Sequence, residues 1–394
     1  MAENLDDILG RAAQNRVSRR SFLAAAGLLG GSAALAACGA RSSATAAPST
    51  GASAGAGSSF PPVGDVEKQM FMYSWSDYDD QQNIDDFKAK FGIEKFQYDT
   101  YASNEEMIAK FQAGGTGWDI AVPTSEYIPA MVEGGYLQKL DWSRIPNAKY
   151  INAAFKGLPW DPKDEWQLPK HFGTTGVLYR SKIVKEPLTS WKEFYDLATG
   201  KYSGKVVIVD SMGDVFPMPL KMAGKSVNSA VKEDLDAARV ILLDLAPHVL
   251  ALDSDTYDVK LASEEAVLAL GWTGEMPDLR ADPKTADIRY MVPSEGSIFW
   301  LDTWVMLKDA PNPNAAYAWL NFIHEPERAA AETIANGYGT PNDGANEYLP
   351  ADILADEIYY PSAEAMKNLE GLTDQSGNQQ RVDIWQEFKS KIGG

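Results

Sequence analysis

The sequence predicts an α/β protein in which helices wind around parallel strands in two lobes. Strand-like and helix-like patterns alternate from about residue 66 onward, and a β-α-β-α-β-α order builds a parallel sheet covered by helices. A chain of 394 residues with 45% hydrophobic content is large enough to divide its core between two domains. Residues 168–176 precede a strand pattern and are expected to form a crossing between the lobes.

The first 37 residues are interpreted as an export signal rather than as part of the fold. Residues 18–23, SRRSFL, are a twin-arginine pattern, and the weakly apolar run 24–37 suits the export of proteins that are already folded. Residues 35–38, LAAC, resemble a bacterial lipobox, which implies cleavage before Cys38 and lipidation of that cysteine. Cys38 is the only cysteine, so an intrachain disulfide is excluded.

A tether is predicted at residues 38–65, because Gly, Ala, Ser, Thr and Pro dominate as far as Pro62. A flexible chain of this length reaches roughly 25–30 Å. We therefore expect an exported protein that is lipid-anchored on the outer side of the cell membrane and touches the membrane only through the lipid on Cys38.

The net charge argues against nucleic acid as a partner. The chain carries 55 acidic against 36 basic residues, a formal charge of -19, whereas a nucleic-acid site needs a basic face. The three histidines, His171, His248 and His324, are far apart in sequence and show no zinc-binding spacing. We expect neither a metal site nor a cofactor.

The first lobe is predicted from alternating strands and helices. Strands are expected at 70–72, 93–100 and 118–122, and helices at 84–91, 103–112 and 126–133. Ser103 is expected to cap the second helix, because its hydroxyl can accept from the amides of the first turn. Residues 114–117, GGTG, precede a strand and are followed by no Lys-Ser/Thr pair, so we interpret them as a helix stop and not as a phosphate loop.

The rest of the chain repeats the pattern. Strands are expected at 177–179, 205–209, 266–271, 288–292 and 299–306, and helices at 191–199, 215–223, 231–245, 314–324 and 326–335. Ser190 is expected to cap the first of these helices, and the residues after the loop 337–342 are expected to be mostly helical. We predict one lobe from 66–175 with 302–346 and a second from 176–301 with 347–394.

Several predicted strand ends carry an acid, most of them together with an aromatic ring. They are Trp75 with Asp77, Asp210 with Asp214, Trp272 with Glu275, and Trp300 with Asp302, with Tyr338 in a later loop. In open α/β sheets ligands bind beyond the carboxyl ends of the strands, so these side chains are expected to line one shared cleft. Carboxylates beside rings suit a small organic cation. Taken alone, Trp75 and Tyr78 are equally well explained as core aromatics.

At this point the chain resembles a known family, the spermidine/putrescine-binding proteins of bacterial polyamine ABC importers. The resemblance covers roughly residues 68 to 390. It rests on eight segments in the family's order: 73–78 (YSWSDY), 103–106 (SNEE), 113–119 (AGGTGWD), 122–124 (VPT), 173–176 (GTTG), 214–216 (DVF), 298–302 (IFWLD) and 340–342 (TPN). The fold that it implies is the two-lobed periplasmic-binding-protein architecture of type II, in which two parallel or mixed sheets are wound by helices and the ligand lies in the cleft between them.

The resemblance also implies site residues in the first lobe. One wall of the cleft is implied to contain Trp75, Ser76, Asp77 and Tyr78. Thr124 falls where the family usually has a serine, and Glu126 falls where some members have a tyrosine.

Further site residues are implied around the amine groups of the ligand. Asp214 matches a glutamate that pairs with an amine, while Trp272 and Glu275 match an aromatic residue and, in putrescine-type members, an acid. Trp300 and Asp302 match the ring and carboxylate that hold the other amine.

Tyr338 matches a ring over the cleft, and two positions depart from the spermidine-type pattern. Ser211 stands where spermidine-type members carry a second aspartate, as it does in putrescine-type members, and Leu372 falls where a glutamine reaches the ligand in some members. Both departures leave the length of the ligand open between putrescine and spermidine.

The physical chemistry of polyamines agrees with this set of residues. Each ammonium group stays charged at neutral pH and needs a carboxylate once water is removed. Methylenes suit tryptophan and tyrosine faces, and a desolvated ammonium over a ring gains up to roughly 2 kcal/mol. The acids that could pair with two or three ammonium groups are Asp77, Glu126, Asp214, Glu275 and Asp302.

The sequence therefore predicts a monomeric receptor that captures putrescine or spermidine and delivers it to the permease of an ABC transporter without performing chemistry. Ligand-driven closure is expected to hinge near 173–176 and near Asp302. Two alternatives remain open: a secreted hydrolase of glycosidase type with a carboxylate pair, and the same fold binding another organic cation such as thiamine.

Overall fold

The computed structural model describes residues 64–392. The predicted signal peptide, Cys38 and the tether as far as residue 63 lie outside the described residues, as do residues 393 and 394. Residues 64–392 contain no helix that is both long enough and apolar enough to cross a membrane.

The strands of the described part belong to two sheets, as the sequence predicts. They are β1 (Gln69–Trp75), β2 (Lys95–Tyr101), β3 (Ile120–Ala121), β4 (Gln167–Thr174), β5 (Gly176–Arg180), β6 (Val206–Ile208), β7 (Val249–Leu252), β8 (Leu268–Gly271), β9 (Ile288–Met291), β10 (Ile298–Met306) and β11 (Glu370–Gly371).

The first sheet has six strands and is mixed. Its order is β11-β10-β3-β1-β2, and β4 also pairs with β10. β1 runs parallel to β2 and β3, whereas β10 runs antiparallel to both β3 and β4. β1 is covered on both faces: Met70 and Met72 pack into one core cluster, and Tyr73 packs into another. Burial of both faces explains why residues 70–73 of β1 form a continuous apolar run in the sequence.

The second sheet has five strands in the order β7-β6-β8-β5-β9. β6 is parallel to β7 and β8, and β5 is antiparallel to β8 and β9. Its strands and the helices on them form a separate core cluster, with Trp191 and Phe194 fully buried.

The α-helices lie between and beyond the strands. They are α1 (Gln81–Phe91), α2 (Asn104–Gln112), α3 (Ile128–Glu133), α4 (Trp191–Thr199), α5 (Met212–Val215), α6 (Pro217–Met222), α7 (Lys232–Leu245), α8 (Tyr257–Ala262), α9 (Met276–Ala281), α10 (Pro313–Ile323), α11 (Pro326–Asn336), α12 (Ala351–Leu354), α13 (Ala363–Met366) and α14 (Gln379–Ser390).

The two predicted helix caps are confirmed. The hydroxyl of Ser103 accepts from the amide of Glu106 at 3.2 Å, and that of Ser190 accepts from the amide of Glu193 at 3.1 Å. The predicted helix stop is also confirmed, because α2 ends at Gln112 and Gly114 adopts φ +84°, which disfavours a side chain.

The crossing predicted at 168–176 is confined in the structure to the end of that range, and a strand that the sequence did not predict precedes it. Residues Gln167–Thr174 are fully buried and form β4, which pairs antiparallel with β10. Pro169 and Gly173 hide this strand in the sequence, because both residues normally weaken a strand pattern. The crossing to the second sheet is the single residue Thr175, between β4 and β5.

Other differences follow from short elements. The helix predicted over 215–223 is divided at Phe216, because α5 ends at Val215 and Pro217 starts α6. The helix predicted from Glu126 begins as a 3-10 turn, Ser125–Tyr127, before α3. The segment after 347 is less helical than predicted, since it contains loops and the strand β11.

The lobe boundaries stay a prediction, but two strands bear on them. β10 begins at Ile298 and lies wholly in the first sheet, and β11 pairs with it at 370–371. Assigning residues 298–301 and 370–371 to the first lobe would follow this pairing. Besides Thr175, the chain passes from the second sheet to the first between β9 and β10.

Candidate ligand-binding site

A cavity of about 290 Å³ lies between the two sheets. The structure brings all thirteen predicted site residues to its walls: Trp75, Ser76, Asp77, Tyr78, Thr124, Glu126, Ser211, Asp214, Trp272, Glu275, Trp300, Asp302 and Tyr338. Their contact with a ligand stays a prediction. Loops that follow β1, β6 and β8 contribute to the walls, so the carboxyl ends of parallel strands meet here.

The loop after β1 turns sharply at Asp77. Asp77 has φ 49°, in the left-handed region that aspartate tolerates better than most residues, and its side chain is exposed at the cavity. The turn directs the next residue, Tyr78, into the interior, where it is 5% exposed. The indole of Trp75 donates to the carbonyl of Val122 at 2.9 Å, which ties the end of β1 to the residue after β3.

Asp302 lies in the middle of β10 and not at a strand end as predicted. Asp302 faces the cavity because side chains alternate along a strand, and Trp300 and Ile298, two and four positions before it, line the cavity as well. The hydroxyl of Tyr78 donates to Oδ2 of Asp302 at 2.7 Å. Burial raises the pKa of Asp302 to about 6, although the Tyr78 and Thr124 hydroxyls act in the opposite direction.

Asp214 is held on the second wall, near the start of α5. Its carboxylate accepts from the hydroxyl of Thr175, from that of Ser211 at 2.5 Å, and from the indole of Trp272 at 2.9 Å. Burial raises its pKa, and the three donors lower it. Thr175 is also the residue that connects the two sheets, so this carboxylate is bonded directly to the crossing.

Glu275 precedes α9 on the same wall. The hydroxyl of Tyr257 donates to its carboxylate. Burial raises the pKa of Glu275 to about 7, and the negative charges of Asp258 and Asp77 add to this shift.

Aromatic rings complete the walls. Trp300 and Tyr338 meet edge to face with centroids 5.0 Å apart, and Tyr78 meets Tyr338 at 5.6 Å. The pKa of Tyr338 is raised by burial and then by Glu275 and Asp302, so its ring lies within electrostatic range of both acids.

The two walls touch each other over the cavity. The indoles of Trp75 and Trp272 are 6.1 Å apart between centroids. The hydroxyl of Ser76 donates to Oδ1 of Asp255 at 3.1 Å, and that of Thr273 donates to the carbonyl of Gly337 at 3.0 Å. These contacts describe lobes that are closed over the cavity.

The charge of the lining is entirely negative. Eight acids line the cavity, with no lysine, arginine or histidine beside them: Asp77, Glu126, Asp214, Asp255, Asp258, Glu275, Asp278 and Asp302. Within residues 64–392, none of these acids makes an ion pair. The same residues contain no cluster of three or more side chains placed to hold a metal. A cavity with this lining favours a cation that brings its own hydrogen-bond donors.

Three lining acids were missed by sequence reasoning. Asp255 and Asp258 follow β7, an apolar strand that is absent from the predicted elements, and Asp278 lies in α9. The signal was present, because Val249–Leu252 followed by Asp253 and Ser254 repeats the pattern of an apolar run before polar residues. The run is only four residues long, which is why it is easily overlooked.

A buried ion cluster supports the loop after β1. Nζ of Lys170 on β4 lies 2.9 Å from Asp79 and 3.5 Å from Glu332, and it donates to the carbonyl of Tyr78 at 2.8 Å. The side chains of all three charged residues are at most 3% exposed. Asn336 donates to the same carbonyl at 3.1 Å. The cluster therefore fixes the backbone of Tyr78, whose hydroxyl binds Asp302.

Comparison with known proteins gives consistent matches. Residues 82–361 match the family described as bacterial extracellular solute-binding protein. The chain is 31% identical over 332 residues to the spermidine/putrescine-binding periplasmic protein of Escherichia coli K12, covering 83% of this chain and 92% of that protein. It is 28% identical over 333 residues to the putrescine/cadaverine-binding protein of Pseudomonas aeruginosa, covering 82% and 94%.

A solved structure matches the fold. The spermidine/putrescine ABC transporter substrate-binding protein PotD of Streptococcus pneumoniae superposes with a TM-score of 0.68 at 30% identity, covering 82% of this chain and 99% of that one. The two-lobed periplasmic-binding-protein fold implied by the resemblance is thereby confirmed.

Proposed function

This chain belongs to the family of bacterial extracellular solute-binding proteins, within its spermidine/putrescine-binding group, and from this premise we propose that it captures a polyamine outside the cytoplasm and delivers it to an ABC transporter permease. The proposal includes export by the twin-arginine route, lipidation of Cys38, and action as a monomer that performs no chemistry.

The single observation that carries the proposal is the unpaired negative charge of the cavity. Eight carboxyl groups line it without a cationic side chain among them. Buried carboxylates without counter-ions are strongly unfavourable, and their raised pKa values report that cost. A ligand with several ammonium groups supplies the missing counter-charges, whereas a neutral sugar or an anion does not.

The arrangement of the acids supports a ligand that is charged at both ends. In our proposal Asp302, held by Tyr78, receives one ammonium group, and Glu275, held by Tyr257, receives another. In the same proposal the methylenes between the two ammonium groups lie against aromatic rings such as that of Tyr338. Both acids raise the pKa of Tyr338, so its hydroxyl is within electrostatic range of each.

Closure over the ligand is the proposed mechanism. The chain crosses between the sheets at Thr175 and again between β9 and β10. We therefore propose hinges at Thr175 and at 292–297, and not at Asp302, because Asp302 is paired within β10 and cannot absorb a large change of backbone angles. A bound amine shifts the lobes toward the closed form, since the acids of both walls contact the amine only in that form.

A calorimetric panel tests the function. Purified mature protein is expected to bind putrescine or spermidine with measurable heat, because each ammonium group that is paired with a carboxylate and desolvated contributes to affinity. Thiamine, a neutral disaccharide and inorganic phosphate are the comparison ligands. Binding of thiamine alone would favour the other organic cation, binding of the disaccharide would favour the hydrolase, and binding of phosphate alone would contradict the proposal.

Polyamine affinity is expected to increase with pH between about pH 5 and pH 8. The ammonium groups pair with carboxylates, so Glu275 with a pKa of about 7 and Asp302 with a pKa of about 6 must lose protons on binding. At pH 5 this requirement weakens binding by about a hundredfold for Glu275 and about tenfold for Asp302. The same raised pKa values have the opposite effect on the stability of the fold. Both groups stabilise the ligand-free folded state at low pH, and this contribution is lost as the pH rises through 6 to 7.

Calorimetry in buffers with different ionisation enthalpies measures this coupling. At about pH 6 we expect one to two protons to be released per amine bound. An affinity that is flat over this pH range, with no dependence on the buffer, would contradict the assignment of Glu275 and Asp302 to the ligand.

A further inference from the structure

Lys170 is a buried cation behind the wall of the cavity. Its side chain is 2% exposed and does not line the cavity itself. On β10 Asp302 pairs with His171 of β4, whereas the next residue of β10 pairs with Pro169. Lys170 is therefore the extra residue of a β-bulge. Bulges re-aim side chains and occur next to functional sites, and this one directs Lys170 at the loop after β1.

Lys170 contacts Tyr78 in two ways. Its Nζ donates to the carbonyl of Tyr78 at 2.8 Å and lies 4.4 Å from the centroid of the Tyr78 ring, within the range of a cation–π interaction. The hydroxyl of the same ring donates to Oδ2 of Asp302 at 2.7 Å. One aromatic ring therefore connects a buried cation to the carboxylate that we propose receives an ammonium group.

The charge of Lys170 also acts on Asp302 directly. Burial raises the pKa of Asp302 to about 6, and the positive charge of Lys170 opposes that rise. The two histidines nearby do not share this role. Burial lowers the pKa of both His171 and His324, and the charge of Lys170 lowers it further, so neither ring is the cation that faces Asp302 near neutral pH.

The remaining titratable groups that interact with Asp302 come from several elements and carry no positive charge. They are Tyr78, Tyr101, Glu126, Asp214 and Tyr338. The carboxylates of Asp79 and Glu332, 2.9 Å and 3.5 Å from Nζ, hold Lys170 in place. Of the groups that face Asp302, Lys170 is the cation.

The ionisation of Asp302 affects binding because an ammonium group pairs with a charged carboxylate. Without the lysine, Asp302 would keep its proton to a higher pH, and binding near neutral pH would have to release that proton. At a pH where Asp302 is already ionised, Lys170 has no such benefit, and its charge repels an incoming ammonium group. The contribution of Lys170 to affinity should therefore decrease as the pH rises.

We propose that Lys170 is a positioning residue of the binding site, which holds the ring of Tyr78 against Asp302 and stabilises the charged carboxylate of Asp302 from behind the wall. This inference rests on the proposed function for its effect on affinity. Its effect on Asp302 is independent of any ligand.

Calorimetry with putrescine and spermidine at pH 6 and pH 8 tests the effect on affinity in Lys170→Met. A nearby opposite charge lowers a carboxyl pKa by about one to three pH units. If the pKa of Asp302 rises from about 6 to about 7 in the variant, the ratio of the affinity at pH 8 to that at pH 6 increases about fivefold. Lys170→Arg retains the charge and should keep the ratio within about twofold of that of the unaltered protein. Lys308→Met, at an exposed position, is the matched control and should leave the ratio unchanged.

A purely structural role gives a different result. Misplacement of Tyr78 alone would weaken binding by the same factor at both pH values, and this outcome would overturn the inference, as would an unchanged affinity. If Lys170→Met does not fold, the double variant Lys170→Met with Asp79→Asn replaces it, and the ratio should change in the same direction.

Carbon-13 NMR of aspartate-labelled protein provides a second test that needs no ligand. The side-chain carboxyl signal of Asp302, identified by its loss in Asp302→Asn, should titrate at a higher pH in Lys170→Met than in the unaltered protein. The same midpoint in both proteins would overturn the inference. An unaltered protein that binds neither amine contradicts the proposed function, while the NMR titration still decides whether Lys170 acts on Asp302, so the two failures are distinguishable.

Discussion

Asp302→Asn is expected to weaken polyamine binding by between about thirtyfold and several-thousandfold, the range for removing one charge of a desolvated pair. The amide keeps the shape of the carboxylate and can still accept from the hydroxyl of Tyr78, which lies 2.7 Å from Oδ2. It cannot neutralise an ammonium group. Isothermal titration with putrescine and spermidine measures the loss.

The unfolding temperature of the same variant separates lost binding from lost folding. Burial raises the pKa of Asp302, so the charged carboxylate costs stability in the ligand-free protein above about pH 6. Asp302→Asn should therefore unfold at the same temperature as the unaltered protein or higher at pH 8. Asp309→Asn, at an exposed position after β10, is the matched control. Retained polyamine affinity in Asp302→Asn would remove Asp302 from the proposed site.

Lys170→Met is expected to lower the free energy of unfolding by about 3–5 kcal/mol at pH 8, the cost of breaking a buried pair by removing one partner. The change leaves Asp79 and Glu332 buried together without a cation and removes a donor from the carbonyl of Tyr78. Denaturant unfolding measures the loss. Lys308→Met, at an exposed position, should change the free energy of unfolding by less than about 0.5 kcal/mol.

The pH dependence of this loss has a definite sign. Burial raises the pKa of Asp79 to about 6 even with Lys170 lowering it, so the pKa must rise further without the lysine. The destabilisation should therefore be smaller at pH 5 than at pH 8, because protonated Asp79 needs no cation. Adding Asp79→Asn to Lys170→Met should recover part of the loss. A loss below about 1 kcal/mol that does not vary with pH would mean that the cluster is not structurally important.

The predicted helices and strands agree with the structure where the sequence pattern is long. Helices α2 and α4 begin at the predicted caps Ser103 and Ser190, since a cap acts through amides three residues away. Strand β4 was missed because Pro169 and Gly173 are poor strand residues by propensity, and β7 because it has only four residues. In β4 pairing with β10 overrides propensity, and no window of a few residues contains the partner.

For the site, too, the sequence predicted what depends on local pattern and missed what depends on distant residues. An acid after each of several strands, most often beside a ring, predicted a shared cleft, and the walls of one cavity contain all of these residues except Asp210, which pairs with Lys389. The roles of Asp255 and Lys170 could not be predicted from the sequence alone. Asp255 follows an unpredicted strand, and Lys170 acts through partners far from it in the chain, among them Asp79, 91 residues earlier.

What the sequence by itself determined is therefore chemical and local: the α/β class, the caps, the acidic and aromatic residues at strand ends, and the family to which they belong. What only the tertiary structure decided is which groups share their environment. Tyr78 and Asp302 are 224 positions apart in the chain, yet they form one hydrogen bond. Glu126 is an ordinary acid in sequence, and only the folded chain buries it near Asp302 and Asp214, which raises its pKa. The physical reason is that hydrogen bonding and secondary structure depend on near neighbours, whereas burial and the electrostatic field arise from residues that the fold brings together.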